Sequence, residues 1–84
     1  SRGLGDVYKR QHQLESIRYI EKHLGLGKLP LTLRETAELR LNHPDASLNE
    51  LADLSEGKIG KSGINHRLKK IQHLAEELGM IKNE

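Results

Sequence analysis

The sequence contains no cysteine, phenylalanine or tryptophan, and only two tyrosines and two prolines in 84 residues. The lack of cysteine excludes disulfide frameworks, thiolate metal sites and cysteine nucleophiles. Two aromatic residues are too few for the stacking platforms that bind single-stranded nucleic acids. No run approaches the roughly 18 apolar residues that span a bilayer, and no signal-peptide block is present. We therefore expect neither a membrane protein nor a disulfide scaffold.

The composition fits one small domain with a modest core. The chain is 35% hydrophobic and 31% charged, and it is shorter than the roughly 100–150 residues of a typical domain. The net charge of +2 is unevenly distributed. Residues 1–31 sum to +3, residues 32–54 to −3, residues 55–73 to +4 and residues 74–84 to −2. Two basic segments thus flank an acidic one.

Apolar residues recur at helical spacing in four stretches, and no stretch has strand periodicity. Residues 1–10 do not share this pattern. We interpret them as a leader that is disordered or not native, followed by one helical domain over 11–84. The helices are predicted at about 10–24, 33–42, 48–55 and 63–78. The sequence therefore predicts an all-α fold, a small helical bundle.

Capping residues and breakers set the predicted helix ends. Gly25 is a C-cap candidate for the first helix. Thr32 and Glu35 have capping-box spacing at the start of the second helix, as do Ser47 and Glu50 at the start of the third. The second helix should end before Pro44, because a residue that precedes proline disfavours the helical conformation. The inward side chains of the second and third helices are predicted to be Leu33, Ala37, Leu39, Leu41, Leu48, Leu51, Ala52 and Leu54.

The last helix has the most regular apolar stripe in the chain. Ser62 is its N-cap candidate and Gly79 its stop. The stripe consists of Ile64, Leu68, Ile71, Ala75 and Leu78. At about 100° per residue, Ser62, Asn65, His66 and Lys69 form a polar line on the other side of the helix. Asparagine can pair with adenine, lysine can donate to guanine, and serine and histidine can contact bases or phosphates. These four residues are the base-reading candidates.

The third and fourth predicted helices resemble a helix-turn-helix unit for double-stranded DNA, although the connection Glu56–Lys61 is longer than the minimal turn. Ile59 in this connection could fill the space between the two helices. Residues 58–73 contain no acidic residue. A polar, basic helix face is also what a purely solvated surface shows, and this alternative stays open at this point. The phosphate-contact candidates are Lys58, Lys61, Arg67, Lys70, Arg34 and Arg40.

Other kinds of site fit the sequence poorly. Gly60-Lys61-Ser62 resembles the end of a P-loop, but Ser55 stands where that motif requires glycine. No two of the five histidines are three or four residues apart, so a metal site is not expected. Glutamates near His73 are expected to form local pairs rather than an acid–base site. We predict no enzyme activity, cofactor, metal or small-molecule substrate.

Three segments closely resemble the C-terminal domain of the WhiA family of bacterial transcriptional regulators. They are LRETAELRL at 33–41, PDASLNEL at 44–51 and KSGINHRLKKI at 61–71, within a match over about 11–78. The resemblance implies a helix-turn-helix domain similar to the promoter-reading region of sigma factors. It also implies a cytoplasmic, nucleoid-associated role in sporulation or cell-division gene control.

Full-length members of this family resemble a two-part protein whose N-terminal part is similar to LAGLIDADG homing endonucleases. We therefore expect this chain to be an isolated C-terminal domain or a truncated sequence. The resemblance carries site roles to Ser62, Asn65, His66, Arg67 and Lys69, all within its last segment. The alternative function is a protein-interaction module that docks a sigma factor, RNA polymerase or a companion regulator.

Overall fold

A computed structural model describes residues 2–81, which form four helices and no strand. The helices are α1 (Arg2–His23), α2 (Leu31–Asn42), α3 (Leu48–Leu54) and α4 (Lys61–Glu77). A short 3-10 turn, Leu26–Lys28, lies between α1 and α2. The all-α fold is as predicted. No helix within residues 2–81 combines the length and apolar character needed to cross a membrane.

Helix α1 begins well before the predicted position of about residue 10. Residues 2–10 continue the helix, whereas the sequence pattern predicts a leader there that is disordered or not native; Ser1 lies outside the described residues. The physical reason is that extending a formed helix fixes only one further residue for each hydrogen bond gained. Helix α1 ends as expected, because Gly25 has φ 94° and its N–H donates to the Ile20 carbonyl at 2.8 Å.

Of the two predicted capping boxes, only one forms. Ser47 and Glu50 cap α3, with Glu50 N–H to Ser47 Oγ at 3.1 Å and Ser47 N–H to Glu50 Oε1 at 2.8 Å. The Thr32–Glu35 box was wrong, because α2 already begins at Leu31, after Pro30. Pro30 is the N-cap and its carbonyl accepts the Leu33 and Arg34 N–H groups at 3.0 Å, so Thr32 lies inside the helix, where its carbonyl accepts a hydrogen bond from the Thr36 hydroxyl.

Helix α4 lies at the centre of the fold and packs on each of the other three helices. Its predicted stripe of Ile64, Leu68, Ile71 and Ala75 is buried. The remaining core side chains come from the other elements and include Ile17, Ile20, Leu29, Ala37 and Leu51. Because these four side chains of α4 are buried in the core, they fix which face of α4 packs on the other helices and which face is left for solvent.

Three end positions differ from the sequence prediction. Ser62 is not an N-cap, because Gly60 holds that position and α4 begins at Lys61. Leu78 follows the last turn of α4 and is 36% exposed, since the chain turns at Gly79 with φ 114°. Leu54 is 45% exposed rather than inward, because α3 ends there after only seven residues. Each case lies at a helix end, where fewer neighbours cover a side chain.

Candidate nucleic-acid interface

The connection between α3 and α4 positions the start of α4. Ser55 Oγ accepts the Ile59 N–H at 3.1 Å and donates to the Ala52 carbonyl at 2.6 Å. Ile59 packs on the core, as the sequence predicted for a residue filling the space between these helices. A Cβ on Gly63 would lie 2.9 Å from Ile59 Cγ2, so glycine permits this close contact. The longer turn is therefore an ordered connector of a helix-turn-helix unit.

The polar side of α4 is divided into two faces. Lys61, Asn65 and Lys69 are four residues apart and share one face, which borders a groove shared with α1 and the start of α3. Ser62, His66 and Lys70 are exposed and do not line that groove. The four predicted base readers are therefore split, with Asn65 and Lys69 at the groove and Ser62 and His66 on the outer face.

The groove has a volume of about 530 Å³ and a basic lining. Its walls are the first half of α1, the start of α3 and the face of α4 that carries Asn65. Its lining has far more lysine and arginine than carboxylate. The cations are Lys9, Arg10, Arg40, Lys61 and Lys69, against Asp6 as the acidic residue. Neutral polar side chains, including Gln13, Asn49 and Gln72, complete the walls. Such a surface suits a polyanion that also offers hydrogen-bonding groups.

The cations of this groove have no carboxylate partner among the described side chains. Among the side chains of residues 5–81, the contact of ion-pair type joins His73 Nε2 and Glu77 Oε2 at 3.9 Å on the exposed side of α4, and it is charged only when His73 is protonated. This pair agrees with the local pairing predicted for His73. In the same part of the chain, no three histidine or carboxylate side chains converge as metal ligands would. No direct ion pair therefore neutralises these cations among the described side chains, although Arg10 contributes to lowering the pKa of Glu50 and Asp45 acts on Arg40.

Arg40 is not available for the phosphate contact predicted from sequence. Its side chain is 1% exposed, and Nη1 donates to the carbonyls of His43, Pro44 and Ala46 at 3.1, 3.4 and 2.7 Å. Burial lowers the pKa of Arg40, the nearby positive charge of Arg10 lowers it further, and Asp45 acts in the opposite direction. Arg40 holds the turn between α2 and α3, a role that residue type alone does not reveal.

The other predicted phosphate contacts lie at several places around α4. Lys58 is exposed in the turn before it, and Lys61 and Lys70 are exposed on the helix. Arg67 is half-buried and does not line the groove, and the same is true of Arg34 on α2. The structure thus brings Lys61 together with Asn65 and Lys69, and leaves Arg34 and Arg67 outside that cluster.

Sequence reasoning misses the contribution of α1. Lys9 and Arg10 line the groove opposite α4, although the sequence pattern favours a leader over residues 1–10. A usable signal exists, because Asp6, Lys9, Arg10 and Gln13 are three or four residues apart and the apolar stripe of α1 follows directly. The basic surface is therefore wider than α4 alone.

Four helices, an ordered α3–α4 connector and an exposed polar face on α4 define a helix-turn-helix domain. The family described as "WhiA C-terminal HTH domain" matches residues 7–75. The chain therefore belongs to this family. The matched range includes residues 7–10, part of the segment interpreted as a leader.

Individual relatives agree with this assignment. The chain is similar to the "Probable cell division protein WhiA" of Clostridium acetobutylicum, with 61% identity over 66 residues. This match covers 79% of the chain and 21% of the relative. The protein of the same name in Clostridium beijerinckii is 58% identical over 70 residues, covering 83% and 22%. The chain thus spans about a fifth of the curated relatives it matches.

A solved structure is similar over almost the whole chain. It is the crystal structure of full-length DUF199/WhiA from Thermatoga maritima, with a TM-score of 0.87 and 31% sequence identity. The similarity covers 95% of this chain and 28% of that one. The fold described above is therefore also found in an experimentally determined member of the family.

Proposed function

We propose that this chain binds double-stranded DNA sequence-specifically through α4, as the DNA-binding part of a WhiA-type bacterial transcription regulator. The observation that carries the proposal is the cluster of Lys61, Asn65 and Lys69 on one face of α4, beside a groove whose cations lack carboxylate partners among the described side chains. A recognition helix needs this combination of base-reading groups and uncompensated positive charge.

The proposed contacts divide the polar side chains between bases and phosphates. Asn65 pairs with adenine and Lys69 donates to guanine in the major groove. Ser62 and His66, on the outer face of α4, are the other base-reading candidates. Phosphates are contacted by the cations that surround the four base-reading candidates. These are Lys58, Lys61, Arg67 and Lys70, with Arg34 as a more distant candidate.

The wider role follows from family membership and is part of the same proposal. Relatives carry the name "Probable cell division protein", so we propose a role in cell-division gene control, and in sporulation where the host sporulates. The domain acts on promoter DNA at the nucleoid by binding, without catalysis or a cofactor. The physical basis is that a basic surface with base-reading side chains needs no reacting group to select a site.

The test is a titration of the chain with fluorescent duplexes, one selected from a random pool and one of random sequence, at several salt concentrations. If about five phosphates are contacted, log affinity should fall against log salt with a slope of roughly −4 to −5. The selected duplex should bind more tightly at every salt concentration. A flat salt dependence, or equal binding of both duplexes, would contradict the proposal.

The alternative is docking of a sigma factor, RNA polymerase or a companion regulator. It makes the opposite prediction for the same protein. A pull-down of such a partner would survive nuclease treatment, and duplex binding would be undetectable even at low salt. Because salt screens protein–DNA contacts strongly, the low-salt condition gives DNA binding its best chance to appear.

A further inference from the structure

Helix α1 supplies a second basic wall to the groove beside α4. Lys9 and Arg10 lie on this wall, across from Lys61 and Lys69, and Asp6 is the acidic residue in the lining. Helix-turn-helix contacts are usually sought on the recognition helix and the helix before it. Here the cations opposite α4 belong to a helix that is separated from it in the chain by residues 24–60. Only the tertiary fold therefore brings the two walls together.

The floor of the groove contains polar atoms without hydrogen-bond partners among the described residues. They are Arg40 Nε, Gln13 Oε1 and His12 Nε2, and all three residues belong to the groove lining. Gln13 is 7% exposed and Arg40 is almost fully buried. Buried polar atoms usually have a hydrogen-bond partner in the protein or in an ordered water, so unpaired atoms of this kind are uncommon. Arg40 Nε is a donor and Gln13 Oε1 is an acceptor, so the residues at this groove retain both kinds of hydrogen-bonding capacity.

The positive charges at this floor also repel each other. Arg10 and Arg40 line the same groove, and after burial the positive charge of Arg10 is the next cause that lowers the pKa of Arg40, against the opposite effect of Asp45. Like charges at close range are unfavourable unless an anion lies between or beside them. Arg10 is only partly buried, so an anion can reach it from solvent.

We infer that the groove between α1 and α4 is a phosphate-binding site, in which Arg10 is the main ligand and Lys9 and Lys61 lie beside it. This inference rests on the proposed function, because the phosphate is taken to be a backbone phosphate next to the bases contacted by Asn65 and Lys69. A guanidinium forms two parallel hydrogen bonds to phosphate oxygens, which a lysine cannot do. The same chemistry would bind the phosphate of a small phosphorylated molecule.

The first experiment compares Arg10→Gln with Lys22→Gln. Lys22 is an exposed cation on α1 outside the groove lining, so both variants lose one charge from the same helix. At about 0.1 M salt, Arg10→Gln should bind every duplex about five- to tenfold more weakly, with a salt slope less steep by about 0.9. Lys22→Gln should retain wild-type affinity within about twofold. Arg10→Lys should keep the slope and recover only part of the affinity.

The outcomes separate this inference from the proposed function. If the wild-type chain discriminates between duplexes but Arg10→Gln and Lys22→Gln bind alike, the phosphate site is wrong and the proposed function stands. If the wild-type chain binds no duplex, the proposed function fails and the backbone-phosphate assignment fails with it. Thermal melting of each variant, expected to match the wild type, shows that a loss of binding is not a loss of folding.

A second experiment identifies the source of the phosphate. The side-chain N–H signals of Arg10 and Gln13 are followed by NMR during addition of duplex, and separately of inorganic phosphate or a nucleoside triphosphate. Shifts with duplex at low concentration support the backbone assignment. If the signals shift only with free phosphate compounds, the site binds a small phosphorylated ligand and not DNA. No shift of either residue with any of these compounds overturns the site.

Discussion

Arg40 Nη1 donates a 2.7 Å hydrogen bond to the carbonyl oxygen of Ala46, six residues further along the chain. The same nitrogen lies within hydrogen-bonding distance of the His43 and Pro44 carbonyls. One buried guanidinium therefore satisfies the carbonyls of the turn that joins α2 to α3. Because α3 begins directly after this turn, Arg40 helps to place the helix-turn-helix unit on the rest of the domain.

Replacing Arg40 by methionine should destabilise the domain. Methionine keeps much of the side-chain length but leaves the turn carbonyls without their buried donor, which we expect to cost about 2–4 kcal/mol of unfolding free energy. Urea denaturation followed by circular dichroism measures this change. The matched control is Arg18→Met at an exposed position of α1, expected within about 0.5 kcal/mol of wild type. Similar stability of the two variants would show that Arg40 does not hold the turn.

Replacing Gly25 by alanine and replacing Gly27 by alanine should have different effects on the stability of the domain. Gly25 has φ 94°, where an L-residue costs about 1–2 kcal/mol, although an added Cβ would meet no atom within 4 Å. Gly27 has no such backbone requirement and is equally open, so Gly27→Ala should be neutral or stabilising by up to about 1 kcal/mol. Melting temperatures of the two variants measure the difference. If Gly25→Ala melts at or above the wild-type temperature, the positive φ after α1 does not require glycine.

The cap of α3 should make stability depend on pH. The Ser47 backbone N–H, and then its side chain, hold the pKa of Glu50 below the ordinary value of 4.5. A lowered folded-state pKa gives stability that is present above the unfolded value and is lost as pH falls through the folded value. Wild type should therefore be more stable than Glu50→Gln near neutral pH, and the difference should shrink as pH falls below 4.5.

Melting temperatures of both proteins between neutral pH and acid measure this effect. Glutamine can retain the capping-box geometry, so the comparison isolates the charge. Glu21→Gln, at an exposed position on α1, is the control for removing one negative charge outside the cap. A constant difference between wild type and Glu50→Gln at all pH values would contradict the prediction.

Asn65 and Lys70 should differ in their effect on DNA specificity. Asn65 lies at the groove face of α4, so Asn65→Ala should cost about 1–3 kcal/mol on the selected duplex and relax the preference at one base pair. Lys70 is on the exposed face outside the groove, so Lys70→Ala should weaken selected and random duplexes equally. Competition titrations with single-base-pair variants measure both effects. Equal losses on both duplexes for Asn65→Ala would remove it from base reading.

Sequence predictions were correct where they depended on residues close together in one helix, and wrong where neighbouring signals competed or tertiary packing decided the result. The Ser47–Glu50 cap and the stripe from Ile64 to Ala75 were correct, because both depend on residues three or four apart in one helix. The cap at Thr32 failed because Pro30 starts α2 earlier, a competition between two neighbouring signals. The phosphate contact predicted for Arg40 failed because a charged residue is rarely buried, and sequence does not show the set of acceptors that permits it.

The sequence by itself determined the four helices, the apolar face of α4 and therefore the polar residues left on its other side. It did so because helical periodicity places residues three and four apart on the same face. Only the tertiary structure decided that Arg10 lines the same groove as Lys61 and Lys69, and that Arg40 is buried at the turn after α2. The residues that meet across the groove are far apart in the chain, and which helices meet is settled by the packing of the whole core.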